Sequence, residues 1–556
     1  MDVKEYLRQR YGINARLLDY MSLIPSHRKE RILNSALDLR LKLETKAKEY
    51  EFLDIVQPVA IYKYYIKNEI LTRNIINKNI SKIVLQNRFS EEAIIVMSKR
   101  NKNQEVEFIE PSWYQSIKQI ILFFAPVLLY LLREQYKRWS VYRITFNHKN
   151  KKNRAINILL VVSANINYLK ATWPIVDKLT KMGHVSDIYL LGDKQIITQL
   201  VPYRVETIFE PKFKIKSLIK AWKTYNLVLH TQKIPQKSLH WIAPLRKLPL
   251  WTLSQTLLDL TIGRGVSEKV YYHTSPKIVI VGDDRAAHIR MFVRMAKKLK
   301  IPVIEVQHGI YRKDVPTGIP ISDKILVWGE IFRQVLSYWG ATRDQIEIIG
   351  NPIYDKKFPK NNISYHKQNS FSFTITFATQ PGYLEINKAI IQRICNAISD
   401  FKLPVKFIIK PHPRENISVY NKILSKYNKI LSNNSLIRLE TTRKELHEVL
   451  KCTDILITIT STAGIEALLY EIPIISLAPI VGEDNPFGEY AISINNLEEL
   501  KKKIKDMVLN YKKYKKKIIN HHKKFIRDYF YKLDGQASER GAKIVLSLVS
   551  SIRRDI

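Results

Sequence analysis

Cysteine is nearly absent from this chain. Its two residues in 556, Cys395 and Cys452, are too few for a disulfide framework and lack the paired spacing of a zinc site. A reducing compartment is therefore the expected setting. Asp-x-Asp and HExxH strings are missing, so no metal site is expected. Zinc-finger spacing, an RNP-type aromatic strand and a recognition-helix pattern are missing too, which counts against nucleic acid as a partner. No basic-then-apolar leader opens the chain, and the cytoplasm is the expected location.

A long apolar run is also lacking. The segment QIILFFAPVLLYLL, Gln119 to Leu132, is uncharged but interrupted by Pro126, and it falls short of the about 20 residues that a spanning helix needs. Bounded by Lys118 and Arg133, it reads as a core helix or as an interfacial segment. Acidic residues are scarce: 51 Asp+Glu against 91 Lys+Arg leave a formal charge of +40. Part of that excess follows a bias toward lysine, isoleucine and asparagine along the whole chain. The rest draws the protein toward polyanions, and an anionic membrane surface, at the inner face of the plasma membrane, fits better than nucleic acid.

What is present is globular: 46% hydrophobic and 26% charged residues, in a chain long enough for two or three domains. Three regions separate by pattern. Residues 1–150 form an N-terminal α/β region with strand, helix and strand across Lys82 to Glu110, and end in the polar linker FNHKNKKNR. Residues 151–345 open on INILLVVS, a continuous apolar strand running into a loop, an amphipathic helix and another strand, which is a parallel βαβ unit. Residues 346–556 begin near IEIIGNPIYD and repeat the scheme, ending in a lysine-rich helical stretch from Leu497 to Arg527. The simplest architecture is α/β, with two Rossmann-like doubly wound domains facing each other across a cleft.

Two strings in the last region carry chemistry. KPHPRE follows the strand VKFIIK, and STAGIEALL follows the strand DILITIT. In an open α/β sheet, ligands bind at such carboxyl ends. Ser461 and Thr462 offer hydroxyls, Ala463 and Gly464 allow close backbone approach, and the helix behind them favours an anion. Ordinary Ser/Thr capping is the competing explanation. Glu466, one turn on, has the acceptors to bind ribose hydroxyls. Pro411 and Pro413 hold Lys410, His412 and Arg414 in an extended stretch that presents cationic donors to a diphosphate. In the middle region, VGDD and VQHG each end an apolar strand. They place His308, Asp283 and Asp284, side chain types that can take a proton near neutral pH, at strand ends.

The C-terminal region resembles the nucleotide-sugar-binding domain of GT-B glycosyltransferases, especially HP-motif enzymes of bacterial surface and capsular polysaccharide synthesis. It is also similar to teichoic-acid glycerophosphotransferases and to UDP-N-acetylglucosamine 2-epimerases. The resemblance spans roughly Ile156 to Asp534. It implies donor-phosphate binding by His412, Ser461 and Thr462, ribose binding by Glu466, and a donor-facing loop at Thr379 and Gln380. His308 resembles the histidine of the glycerophosphotransferase HG motif, which implies His308 as the base for an acceptor hydroxyl, with Asp283 or Asp284 in reserve. The epimerases carry a Ser-Gly-Gly type turn and the glycerophosphotransferases Asp-Tyr-Ser-Ser, where this chain has Ser-Thr-Ala-Gly.

These readings converge on an inverting, metal-independent glycosyltransferase, with a nucleotide-sugar as substrate, no cofactor, and a surface polysaccharide or lipid-linked glycan as acceptor. A CDP-alditol transferase of cell-surface polymer synthesis and a non-catalytic polyanion-binding module are the alternatives.

Overall fold

The computed structural model describes residues 82–85, 105–108, 139–144, 155–210 and 265–552, apart from 164, 314–318, 357–372, 400, 402, 414, 432–436, 443 and 482. The apolar segment 119–132, the linker 146–154 and Arg414 lie outside the described residues. The chain divides into two compact units. One takes in the described residues up to Trp328, Phe332–Asp355 and the tail from Gln536; the other takes in Gly329–Ile331 and Lys356–Gly535. No helix among the described residues is long and apolar enough to cross a membrane.

Strands β1 (Lys82–Leu85) and β2 (Glu105–Phe108) pair in parallel. The first unit continues with β3 (Val141–Ile144), β4 (Ile156–Ser163), helix α1 (Ile166–Lys181), β5 (Val185–Gly192), α2 (Lys194–Leu200) and β6 (Val205–Phe209). After these come β7 (Ile278–Val281), α3 (Ala287–Lys298), β8 (Val303–Val306), β9 (Lys324–Val327), α4 (Glu330–Tyr338, in this unit from Phe332 on) and β10 (Ile346–Ile348). Eight strands form one sheet in the order β10-β9-β8-β7-β4-β5-β3-β6. All pair in parallel except β3, which is antiparallel to both β5 and β6. Burial on both faces explains why β7 and the Ile158–Val162 stretch of β4 read as unbroken runs of Ile, Leu and Val rather than as alternating patterns.

This unit does not follow the linear three-region reading. β3 lies before residue 150 yet sits inside the sheet, and β10, which opens the third region, pairs with β9. The tail returns as well, as helix Ala537–Ile552 packed on α1. Asp355 accepts hydrogen bonds from Ala537 N (3.0 Å) and Ser538 N (2.7 Å), and Arg540 Nε donates to Ile349 O at 2.7 Å. Ala542, Val545 and Val549 join the core under β4. A return of this kind is set by tertiary burial and leaves no local signal.

The second unit runs β11 (Phe373–Ala378), α5 (Leu384–Ile398), β12 (Val405–Lys410), α6 (Ile417–Leu431), β13 (Ile437–Thr441) and α7 (Leu446–Leu450). It goes on through β14 (Ile455–Thr458), α8 (Ala463–Leu469), β15 (Ile474–Ser476), β16 (Ile492–Ser493), α9 (Leu497–Leu509) and α10 (Tyr511–Phe530). Its sheet is wholly parallel, in the order β13-β12-β11-β14-β15-β16. Counted within the unit this is 3-2-1-4-5-6, the Rossmann order, and it reverses direction between β11 and β14. The fold class is thus α/β with two Rossmann-like sheets.

Candidate functional site

In the second unit the loops that leave β11, β12, β14 and β15 all emerge at the carboxyl edge of one parallel sheet, with the reversal of strand order between β11 and β14. Side chains tie the loops together. Gln380 Nε2, after β11, donates to Thr460 Oγ1, after β14, at 3.1 Å. Tyr383 OH donates to Glu483 Oε1, beyond β15, at 2.8 Å. His412 N, after β12, donates to Thr379 Oγ1 at 3.1 Å and to Glu415 Oε2 at 3.0 Å. Thr379, Gln380, Lys410, His412, Ser461 and Thr462 are therefore brought to one rim of this sheet.

Glu415 is the hub of that rim. Its Oε2 also accepts from Thr379 Oγ1, and its Oε1 accepts from Tyr420 OH (2.7 Å) and Asn387 Nδ2 (3.3 Å). Asn387, fully buried on α5, donates to Gln380 O at 3.0 Å as well. One carboxylate thus fixes the backbone of the His-Pro loop against the end of β11. Burial and the Glu415 carboxylate together push the Tyr420 hydroxyl up to about 12, so it stays a donor.

The turn after β14 departs from simple capping. Thr462 stands at the N-cap of α8 but makes no side-chain cap hydrogen bond and is exposed, while Ser461 Oγ accepts a long 3.3 Å bond from Ala463 N. Ala463 and Gly464 are buried inside the first turn. A Cβ on Gly464 would lie 2.4 Å from Phe487 Cζ, so packing of that ring already requires the glycine, whatever binds outside. Glu466 is half-buried on the same helix.

In the first unit, His308 ends β8 and Asp283 ends β7, two neighbouring strands. His308 Nδ1 lies 2.7 Å from Gly282 O. A carbonyl only accepts, so Nδ1 carries the proton and Nε2 keeps the lone pair. Burial lowers the imidazole pKa from its ordinary value, against the pull of Asp283, and keeps the ring neutral. Tyr168 meets the imidazole edge-on with centroids 4.5 Å apart, and a Cβ on Gly282 would strike the Tyr168 ring at 2.5 Å. Asp283 Oδ1 accepts from Arg285 N at 2.9 Å and Arg285 Nε at 3.0 Å. Burial alone would raise its pKa, but Arg285, His308 and these hydrogen bonds outweigh burial and lower it.

Asp284 turns the other way. It is fully buried, and its Oδ2 accepts 2.7 Å bonds from Ile321 N, Ser322 N and Ser322 Oγ, which makes it the clasp of the loop before β9.

Behind Asp283 lies a group that the sequence reading did not single out. Arg285 pairs with Glu305 inside β8, Tyr311 OH donates to Glu305 Oε1 at 2.7 Å, and the Arg285 guanidinium sits 4.6 Å from the centre of the Tyr311 ring. Burial and the neighbouring Asp284 and Asp283 push Glu305 up further than Arg285 pulls it down. The available signal was a glutamate within an otherwise apolar strand, VIEV: a charge buried in a sheet needs a partner.

No protein-family profile and no curated protein matches this sequence. Among solved structures, the chain is similar to UDP-GlcNAc 2-epimerase from Neisseria meningitidis bound to UDP-GlcNAc, at 14% identity and a TM-score of 0.44 over 70% of this chain and 100% of that one. It is also similar to S. aureus MnaA in its UDP co-structure, at 14% identity and a TM-score of 0.43 over 69% and 94%. A third likeness is Anabaena Alr3699/HepE in complex with UDP and glucose, at 9% identity and a TM-score of 0.39 over 71% and 100%. At these identities and scores the likenesses assign no chemistry to this chain.

Proposed function

We propose that this protein is a glycosyltransferase that moves a sugar from a nucleotide-sugar donor to a surface polysaccharide or lipid-linked glycan. One observation carries the reading: Thr379 and Gln380, Lys410 and His412, and Ser461 and Thr462 end three neighbouring parallel strands around a reversal of strand order, on loops hydrogen-bonded to one another. Such an edge is where open α/β sheets take nucleotides. In this proposal Lys410, His412 and Arg414 neutralise the diphosphate in place of a metal ion, Ser461 and Thr462 donate to its oxygens, and Glu466 accepts from the ribose hydroxyls.

His308 acts as base. Its Nε2 takes the proton of the acceptor hydroxyl as that oxygen bonds to the anomeric carbon, and the nucleoside diphosphate leaves with the electrons of the broken C–O bond, inverting the centre. Asp283 stabilises the imidazolium that forms, and Arg285 with Glu305 and Tyr311 holds Asp283. Asp284 serves the reaction only by fixing its loop.

The test is a thermal-shift panel of UDP, CDP, GDP and the corresponding monophosphates on the full chain. A matching diphosphate at a hundred times its Kd stabilises by about 2.7 kcal/mol, and both His412→Ala and Thr462→Val should lose most of the shift. No shift with any diphosphate, or an equal shift in both variants, refutes the assignment. Cleavage of a CDP-alditol with no cleavage of nucleotide-sugars would replace it with phosphoalditol transfer.

A further inference from the structure

Helix α10 has a face that the catalytic reading does not use. Its buried side is apolar: Ile518, Phe525 and Tyr529 pack into the second unit. Its opposite side exposes seven cations, Lys512, Lys513, Lys516, Lys517, Lys523, Lys524 and Arg527. At 100° per residue these fall within an arc of about 140° along a helix about 30 Å long. Lys524 pairs with Glu489 and Arg527 with Asp528, and the other five form no salt bridge among the described residues. Lys512 and Lys516, Lys513 and Lys517, and Lys523 and Arg527 are like charges four residues apart, an arrangement that weakens a helix. By contrast, α9 balances its lysines with Glu498 and Glu499 in its first turn and with Asp506.

We propose that the exposed face of α10 docks the protein on an anionic lipid bilayer. Three features favour lipid over nucleic acid. Six of the seven cations are lysine, a point charge suited to a diffuse layer of headgroups, whereas bidentate phosphate recognition favours arginine. Within α10 no aromatic ring is exposed on the face to stack a base, and the one exposed ring nearby, Tyr531, lies past the helix end. An apolar side chain borders the lysines instead: Ile519, 46% exposed, lies at the edge of the arc, placed to enter the acyl boundary when the helix lies flat, and Leu509, the last residue of α9, is 79% exposed just before the helix. The inference is independent of which reaction the protein performs.

Vesicle flotation of the full chain tests it, with phosphatidylcholine alone and with added phosphatidylglycerol, at physiological salt. Wild type should float with the anionic vesicles and not with the neutral ones. Lys512→Glu with Lys516→Glu and Lys523→Glu should lower the partition coefficient by more than roughly a hundredfold, which is the loss expected from merely neutralising three lysines near an anionic surface. Leu509→Ser with Ile519→Ser should lower it several-fold. The corresponding triple Lys→Gln variant, checked for native circular dichroism, decides the matter should the Glu variant misfold. Equal binding to both vesicle types, undiminished binding by the folded triple variant, or binding to duplex RNA without binding to anionic vesicles would overturn the proposal.

Discussion

A histidine whose Nδ1 proton is committed to a backbone carbonyl has only Nε2 to offer, and His308 is so arranged at Gly282. Its pKa lies below the ordinary value because burial disfavours the cation. The sign follows directly. As pH falls through the ordinary histidine range, the unfolded chain gains a proton that the native ring resists, so native stability declines until the lower folded pKa is reached. His308→Asn keeps a donor for Gly282 O but cannot titrate. Between about pH 7 and pH 5.5 the wild type should therefore lose more Tm than this variant; equal losses would mean that the imidazole is not held neutral. Glu415 makes a second case. Replacing it with Gln leaves one acceptor oxygen where two oxygens together serve Thr379, His412, Tyr420 and Asn387, and urea denaturation should show a loss of about 2 kcal/mol. His308 and His412 were legible because each ends an apolar strand beside Gly or Pro. Glu415 was visible only as the last letter of a motif, since its partners Asn387 and Tyr420 come from two helices that sequence spacing does not connect.

Secondary structure was legible wherever burial on both faces made strands continuous in Ile, Leu and Val. VKFIIK is β12 residue for residue, and DILITIT contains β14. The short β3 escaped notice because four residues with an arginine among them carry little periodic signal and their pairing with β5 and β6 is non-local. Gly464 shows how the reason for a residue can differ from the one its motif suggests. It was expected to admit a ligand, yet the Phe487 ring already occupies the space where a Cβ would go. Gly464→Ala should accordingly cost about 1–3 kcal/mol through overpacking. Adding Phe487→Leu, which trims the ring, should cost less than the two single changes summed, because the second change removes the clash made by the first. Strict additivity in denaturation would show that α8 shifts freely and that this glycine is not held by packing.

At the scale of the whole molecule, the division of the chain into two units gives a readout that composition alone provides. The four tryptophans among the described residues, at positions 139, 173, 328 and 339, belong to the first unit, and the stretches Gly329–Ile331 and Lys356–Gly535 contain none. Emission from these four reports on the unit that carries His308, and the unit that carries the His-Pro rim has no tryptophan of its own. The tail helix belongs to the tryptophan-bearing unit through Asp355, which accepts from Ala537 N and Ser538 N as an N-cap would. Asp355→Ala should cost about 1–2 kcal/mol and lower the emission-detected Tm by roughly 2–4 °C, while the transition seen only by far-UV circular dichroism stays in place. The diphosphate that binds the rim should do the reverse, raising the tryptophan-silent transition first, since a ligand stabilises the unit that holds it. If Asp355→Ala moved both transitions together, the two units would be unfolding as one, and the tail could not be assigned to either by its energetics.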